Sequence, residues 1–535
     1  MLYPSSWITK TLLLAGIAVS SCDALAIRAV GDKIAVTTSK GSVSGYAGSV
    51  ANRYVVPYAE APIGARRFQD PVALSAFKAY DGSGLPPACP QWSIDNISED
   101  CLFLSIYTPT GATSSSKLPV MFWIHGGSFY AGATTNYGLD GSELANAQNM
   151  IVVTVQYRLG LLGFMKNDGL RLSGNYGLKD VIMALNYVKT EIKAFGGDPS
   201  RVTLAGQSSG AELIKTLLVT PSATSLFARA ILQSAPLDSH DQTIAVGNSV
   251  GVLAASYLDC TTLACLKSAS VDSLLNSQAG VVYSAQANQI AGIRVPESPI
   301  RPVVDGKLVT REFRSVVASG QALEGPTKPL IFTTMKDENA LAISGLFAAP
   351  IPASDFNGDV ALFFSERADT IINSGLYDPS LYSGDDATRL ALTDVGTDFS
   401  WTCANQQTAI NVTAAGQTVY QGQWNLGVSY TNRTNSFTAF KAAHQDDIYA
   451  VFNPTSIGLT RGQSALVKEV QARWGAFVKT GSPNSASYPT WSPLASGSNL
   501  NLLVLGNDTV HGTSATSATQ RTAECAIGSG IYTLV

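Results

Sequence analysis

Through the early part of the chain, apolar residues gather in short unbroken runs, and the stretches between those runs repeat with helical spacing. Val120 to Ile124 and Ile151 to Val155 contain no polar alternation, which is the pattern of strands covered on both faces. Lys33 to Val43 does alternate, and reads as a short edge hairpin; Val55 to Pro71, VVPYAEAPIGARRFQDP, is punctuated by proline and reads as irregular. From Gly177 to Phe195 the residues Leu178, Val181, Ile182, Leu185 and Val188 fall on one side of a helix, which Gly196-Gly197-Asp198-Pro199 stops. Val202 to Ala205 is again strand-like, a helix with Leu213, Leu217 and Leu218 follows, and Ala228 to Leu232 is a further apolar run. Strand and helix alternate, which predicts a mostly parallel, twisted α/β sheet with right-handed crossovers and helices on its flanks. Asp238 to Val317 is more broken, Pro329 to Thr333 restores a strand, and 340–430 reads as helix and loop inserted above the sheet. Leu500 to Leu505 is the last strand expected.

Composition narrows what this sheet could serve. The 535 residues are 45% hydrophobic and only 14% charged, so a large core is available, and 27–535 is expected to form one domain with long excursions. A net charge of −4 offers no electrostatic footprint for nucleic acid. Residues 1–26 have the form of a secretory leader: Lys10, an apolar run from Thr11 to Val19, and Ala24-Leu25-Ala26 as the cleavage site. No later segment is long and apolar enough to span a bilayer, and the polar C-terminal region has no lipid-anchor tail, so a secreted, unanchored product is expected. Of seven cysteines, Cys22 leaves with the leader; Cys89, Cys101, Cys260, Cys265, Cys403 and Cys525 form an even set suited to an oxidising compartment. They lack metal-ligand spacing, and neither metal nor cofactor is expected. Asn96, Asn411, Asn432 and Asn507 head glycosylation sequons, whereas Asn453 is excluded by Pro454. Nothing in the residues specifies an oligomeric state.

The candidate chemistry sits at Gly206-Gln207-Ser208-Ser209-Gly210. That pentapeptide is weak evidence in a chain with 47 glycines, but here a strand precedes it and a helix follows. A G-x-S-x-G elbow puts its serine on a strained strand-to-helix turn at a helix amino end, so Ser208 is the candidate nucleophile. A serine hydroxyl needs a base, and histidine is the usual one. Of the four histidines, His511 and His240 lie in polar surroundings, and His125 ends a strand beside glycines, where shape is its expected role. His444, late in the chain between apolar segments, fits the order nucleophile, acid, histidine. The acid must then fall between Ser208 and His444, and Asp337 and Glu338, just past a strand, are both candidates. Gly126-Gly127-Ser128 can aim backbone amides at an oxyanion, and Ser209 can add another.

Taken together, these stretches resemble the type-B carboxylesterase/lipase family, the cholinesterase-like branch of the α/β-hydrolases. The resemblance runs through PYAEAPIGARRF, EDCLFLSIYTP, WIHGGSFYAG, VVTVQYRLGLLGF, GNYGLKD, FGGDPSRVTLAGQSSGAE, SLFARAILQS, TTMKDEN and AAHQDDIYAVF. It implies Ser208 as nucleophile, Glu338 rather than Asp337 as acid, His444 as base, and Gly127, Ser128 and Ser209 as oxyanion donors. It also implies the disulfides Cys89 with Cys101, Cys260 with Cys265, and Cys403 with Cys525. The expected activity is carboxylic-ester hydrolysis of a small-molecule substrate. The alternatives are a secreted lipase or sterol esterase of the same family, and a non-catalytic adhesion or binding member.

Four departures from the family pattern matter. Gln207 stands where the family usually has glutamate, which removes a buried negative charge near the imidazole. Ser128 replaces a glycine and Ser209 a frequent alanine. The Cys89 to Cys101 loop holds only about a dozen residues, too short to form a broad lid. Soluble or modest-sized esters, aromatic acyl esters among them, are therefore the expected substrates, without activation at an interface. Trp92 in that loop is expected to pack rather than to bind a cation.

Overall fold

The computed structural model describes residues 31–92, 94–136, 138–236, 240–286, 298–364, 367–428, 436–439, 441–454, 458–495, 502–506, 514–516 and 521–532. The expected leader, residues 1–26, lies outside them, as do Asn432, Asn507 and His511.

The strands are β1 (Lys33–Thr38), β2 (Gly41–Ala47), β3 (Ala51–Pro57), β4 (Ala79–Asp81), β5 (Phe103–Pro109), β6 (Leu118–Ile124), β7 (Ile151–Val155), β8 (Lys166–Asn167), β9 (Leu172–Ser173), β10 (Gly197–Gln207), β11 (Arg229–Gln233), β12 (Leu330–Met335), β13 (Val419–Trp424), β14 (Leu502–Leu505) and β15 (Ser514–Thr516). One sheet takes the order β1-β2-β3-β5-β7-β6-β10-β11-β12-β13-β14-β15, with β4 beside β2, while β8 and β9 pair separately. From β7 to β14 all neighbours are parallel, as the alternation of strand and helix predicts; the β1/β2, β2/β3, β3/β5, β5/β7 and β14/β15 pairs are antiparallel, and β4 runs parallel to β2.

The unbroken apolar runs have a direct cause. In β6, Val120, Phe122 and Ile124 belong to one core cluster and Met121 and Trp123 to another, so both faces of the strand are buried. β12 divides in the same way, Leu330 and Phe332 on one side and Ile331 on the other. Each such side chain, fully buried, contributes roughly 1.5–3 kcal/mol relative to exposure. The helix Tyr176–Glu191 packs on the first face, while Val470, Trp474 and Phe477 of the helix Arg461–Thr480 pack on the second. The helix read over Gly177 to Phe195 tightens into a 3-10 turn at Ile192–Phe195, and Gly196, at φ 91°, ends it.

Two expectations about the sheet are corrected. The segment 340–430 is not all insertion, because β13 lies within it as a parallel strand between β12 and β14. Its sequence, VYQGQW, breaks the apolar run with Gln421, Gly422 and Gln423; all six residues are nonetheless buried. Leu500 to Leu505 is not the last strand either, since β15 returns antiparallel along β14 and a helix, Thr522–Tyr532, follows. At the other end, the irregular reading from Val55 begins too early, because β3 runs through Pro57. Elsewhere in 340–430, Ile343, Phe356, Val360, Ile371, Leu392 and Phe399 form a separate apolar cluster, consistent with an excursion from the sheet. The three disulfides pair as the resemblance implies: Cys89–Cys101, Cys260–Cys265 and Cys403–Cys525.

Candidate active site

The carboxyl ends of the parallel strands are where an open α/β sheet places its chemistry. Ser208 follows β10 and begins the helix Ser209–Leu218 with φ 56° and ψ −130°. A side-chain-bearing residue in such a conformation costs about 1–3 kcal/mol and persists only where its surroundings fix it. Its N–H donates to the Gln233 carbonyl at 2.9 Å, and its own carbonyl accepts from the Glu212 N–H at 3.0 Å. Glycine is required on both sides of the elbow by close approach. A Cβ at Gly206 would stand 2.8 Å from the Gly210 carbonyl carbon, and one at Gly210 would stand 2.1 Å from the Ile124 carbonyl oxygen. The turn leaves Ser208 7% exposed, so its hydroxyl is accessible yet mostly dry.

Glu338 follows β12 and is buried. Its Oε1 accepts from the Met335 N–H at 2.8 Å, which leaves Oε2 to meet His444 Nδ1 at 2.6 Å. The neighbouring Asp337 faces elsewhere: it accepts from the Ala442 N–H at 3.1 Å and pairs with Lys441 at 3.2 Å. Of the two carboxylates that the residues alone left open, Glu338 is the one in contact with the imidazole. His444 lies just before the helix Asp446–Phe452. Burial works to lower its pKa, but the Glu338 carboxylate, followed by Asp447 and Asp446, outweighs that and holds it above the ordinary imidazole value. The second ring nitrogen, Nε2, is met at 3.1 Å by Gln207 Nε2, while Gln207 Oε1 is buried without a partner. Among the described residues, the Ser208 hydroxyl makes no hydrogen bond to Nε2 in this resting arrangement. The structure therefore brings Glu338 to His444, and brings the neighbour of Ser208, rather than Ser208 itself, to the other side of the ring.

The loop after β6 carries the glycines. Gly127, Ser128 and Phe129 have φ of 117°, 55° and 67°, three consecutive left-handed residues of which two bear side chains. A Cβ on Gly127 would lie 2.2 Å from the Ala131 carbonyl oxygen, so only glycine fits. Ser298 Oγ donates to the Ser128 carbonyl at 3.0 Å. His125 at the start of the loop has a structural part: its ring stacks on Tyr157 at 4.6 Å, and burial pushes it down to about 4, so it is neutral. His240 is half-buried, and its carbonyl accepts from Arg301.

Several neighbours of the site carry no sequence signal. Trp401 sits on a single π-helical turn, Asp398–Thr402, with its indole 5.3 Å from the His444 ring and its N–H on the Ser234 carbonyl at 3.1 Å. It lies on that turn, and hydrophobic periodicity does not reveal such a turn. Asp447, pushed up to about 6 by burial, accepts from Gln233 Nε2 at 2.8 Å. Gln91, inside the Cys89–Cys101 loop, exchanges two hydrogen bonds with the Gly132 backbone, both 2.8 Å, and so docks the short loop against the glycine stretch. Trp92 beside it is 42% exposed, not packed as expected. Of the sequon asparagines, Asn96 is exposed, and Asn411 is half-buried in the helix Cys403–Ala414 with Gln407 Nε2 on its Oδ1 at 3.0 Å.

Known proteins share this arrangement of chain. A model of the carboxylesterase family matches residues 32–526. Carboxylesterase 1D of Rattus norvegicus is 27% identical over 501 residues, covering 85% of this chain and 87% of that one. Para-nitrobenzyl esterase of Bacillus subtilis (strain 168) is 34% identical over 319 residues, 57% of this chain and 63% of its own. A solved PNB esterase superposes with a TM-score of 0.75 at 26% identity, covering 92% of this chain and 99% of that one. With the match running from the first strand of the sheet into its last helix, the chain belongs to the carboxylesterase family, as an ester hydrolase of the α/β-hydrolase fold.

Proposed function

We propose that the protein is a secreted serine carboxylesterase in which Ser208, His444 and Glu338 act in succession on soluble or modest-sized esters, aromatic acyl esters among them. The observation that carries this reading is the 2.6 Å contact between His444 Nδ1 and Glu338, formed beside a strained serine at the carboxyl ends of the strands. Glu338 fixes the tautomer that leaves Nε2 free to take a proton, and stabilises the imidazolium that forms. As an ester enters, the Ser208 hydroxyl displaces the Gln207 amide from Nε2, the kind of tightening that catalytic hydrogen bonds undergo on substrate binding. Ser208 Oγ then attacks the carbonyl carbon, its proton passes to His444, and the N–H groups of Gly127, Ser128 and Ser209 receive the oxyanion. Collapse expels the alcohol with that proton, and water, activated by the same imidazole, releases the acid.

The short Cys89–Cys101 loop, pinned by Gln91, supports an open entrance and hence soluble esters. The leader-like residues 1–26 and the six paired cysteines support secretion. The test is hydrolysis of p-nitrophenyl esters from acetate to palmitate, with Ser208→Ala alongside. Turnover of the short esters by the wild type alone is expected, with no jump once substrate forms an emulsion. Equal rates for the two proteins would refute the nucleophile, and a sharp rise on emulsions would favour a lipase.

A further inference from the structure

The loop from Gly126 to Phe129 would not keep three consecutive left-handed residues unless its surroundings held it, and side-chain contacts reach both of its ends. Ser209 Oγ accepts a hydrogen bond from the Phe129 N–H at 3.2 Å, at the far end of the loop. At the near end the Tyr157 hydroxyl donates to the His125 carbonyl at 2.9 Å. Ser209, Phe129 and Tyr157 are buried, so water does not compete for these bonds.

We propose that the Ser209 side chain is a positioning group of the oxyanion site: its hydroxyl ties the far end of the glycine loop through the Phe129 N–H, and so sets the Gly127 and Ser128 amides in register with the N–H of Ser209 itself. This goes beyond the reading above and rests on it. The backbone N–H of Ser209 is present whatever its side chain; the tether is not. Alanine at this position leaves the Phe129 N–H buried without its partner and frees a strained loop to relax. Donors must sit close to where the oxyanion forms, rather than to the ground-state carbonyl oxygen, so a small relaxation weakens the transition state while leaving substrate binding nearly intact.

The experiment compares the full-length wild type, Ser209→Ala, Tyr157→Phe, the double variant and Ser208→Ala on p-nitrophenyl butyrate, together with inhibition by an alkyl trifluoromethyl ketone. That ketone accepts Ser208 Oγ at its carbonyl carbon and leaves a tetrahedral oxyanion in the site. For Ser209→Ala the expected result is a fall in kcat of about 10- to 100-fold, KM within about threefold, and a matching loss of ketone affinity. Tyr157→Phe, which removes the hydroxyl from the His125 carbonyl at the other end of the same loop, should lose about three- to tenfold in kcat, and the double variant should fall below either single variant. A folded Ser209→Ala with kcat within twofold of wild type, or a loss confined to KM with ketone affinity unchanged, overturns the proposal. If Ser209→Ala does not fold, Ser209→Cys, which keeps the size and weakens the acceptor, decides, and an unchanged kcat there overturns it. Wild-type activity in Ser208→Ala would instead refute the nucleophile; an inactive Ser208→Ala beside a normal Ser209→Ala would refute only the tether.

Discussion

Around Ser208 the chain is held by backbone packed against backbone: Gly206 against Gly210, Gly210 against Ile124, and Gly127 against Ala131, each too close for a Cβ. Around His444 it is held by buried polar groups instead, with Glu338 on one ring nitrogen, Gln207 on the other, and Asp447 and Asp446 close enough to raise the pKa. The first region derives its precision from steric exclusion, which does not respond to pH. The second derives it from charge in a dry setting, which does. Substitutions that add volume should therefore damage the Ser208 side most, and substitutions that alter charge at constant shape should damage the His444 side most.

The largest effect is expected from Gly210→Ala. Its methyl group must displace the end of β6, so activity should fall by more than about a thousandfold, or the chain should fail to fold. Circular dichroism and turnover measured together check this, and a folded alanine variant within tenfold of wild type would break the steric half of the comparison. Next comes Glu338→Gln, which keeps the shape and removes the charge: kcat should drop by roughly 10³- to 10⁴-fold with the melting temperature little changed. Asp337→Asn, one residue away, should cost less than about tenfold in kcat, because Asp337 binds Lys441 and the Ala442 amide rather than the ring.

This contrast also shows how much was legible beforehand. The elbow could be read because glycine spacing, a strand and a helix coincide at Ser208, and β6, β7, β10, β11 and β12 could be read because burial on both faces removes polar alternation. β13 could not, because Gln421, Gly422 and Gln423 interrupt its apolar run although all six of its residues are buried, and Gln421 Oε1 is buried there without a partner. Trp401 was hidden by a π turn, and the contact of Gln207 with His444 joins residues far apart in the chain, a proximity that only the folded sheet creates. The choice between Asp337 and Glu338 likewise depends on which carboxylate the turn after β12 directs toward the ring.

A smaller effect concerns pH. In the proposed mechanism His444 acts when neutral, and its pKa is raised, so the acidic limb of kcat/KM should have its midpoint above the ordinary imidazole value of about 6.5. Gln207→Glu places a carboxylate against Nε2, favours the imidazolium, and should move that limb further up by about one pH unit. A pH–rate profile of both proteins checks this, and a downward shift would contradict it. The smallest expected effect lies away from the site. Burial raises Asp241, which accepts from Thr216 of the helix Ser209–Leu218, to about 7. A carboxyl whose folded pKa exceeds its unfolded one contributes stability that is full below the unfolded value, near about 4, and is lost as pH rises through the folded value. Melting temperature should therefore decline between about pH 4 and pH 7, and Asp241→Asn should flatten part of that slope.

The most direct measurement is the intact mass of the protein, with peptide mapping, after exposure to diethyl p-nitrophenyl phosphate, whose p-nitrophenolate leaves as a serine oxygen takes the diethylphosphoryl group. The expected result is one adduct per chain, located on Ser208, with turnover lost in proportion to labelling and no adduct in Ser208→Ala. Turnover that survives full labelling, or an adduct on any other residue, would contradict the assignment of Ser208 as the nucleophile served by His444 and Glu338.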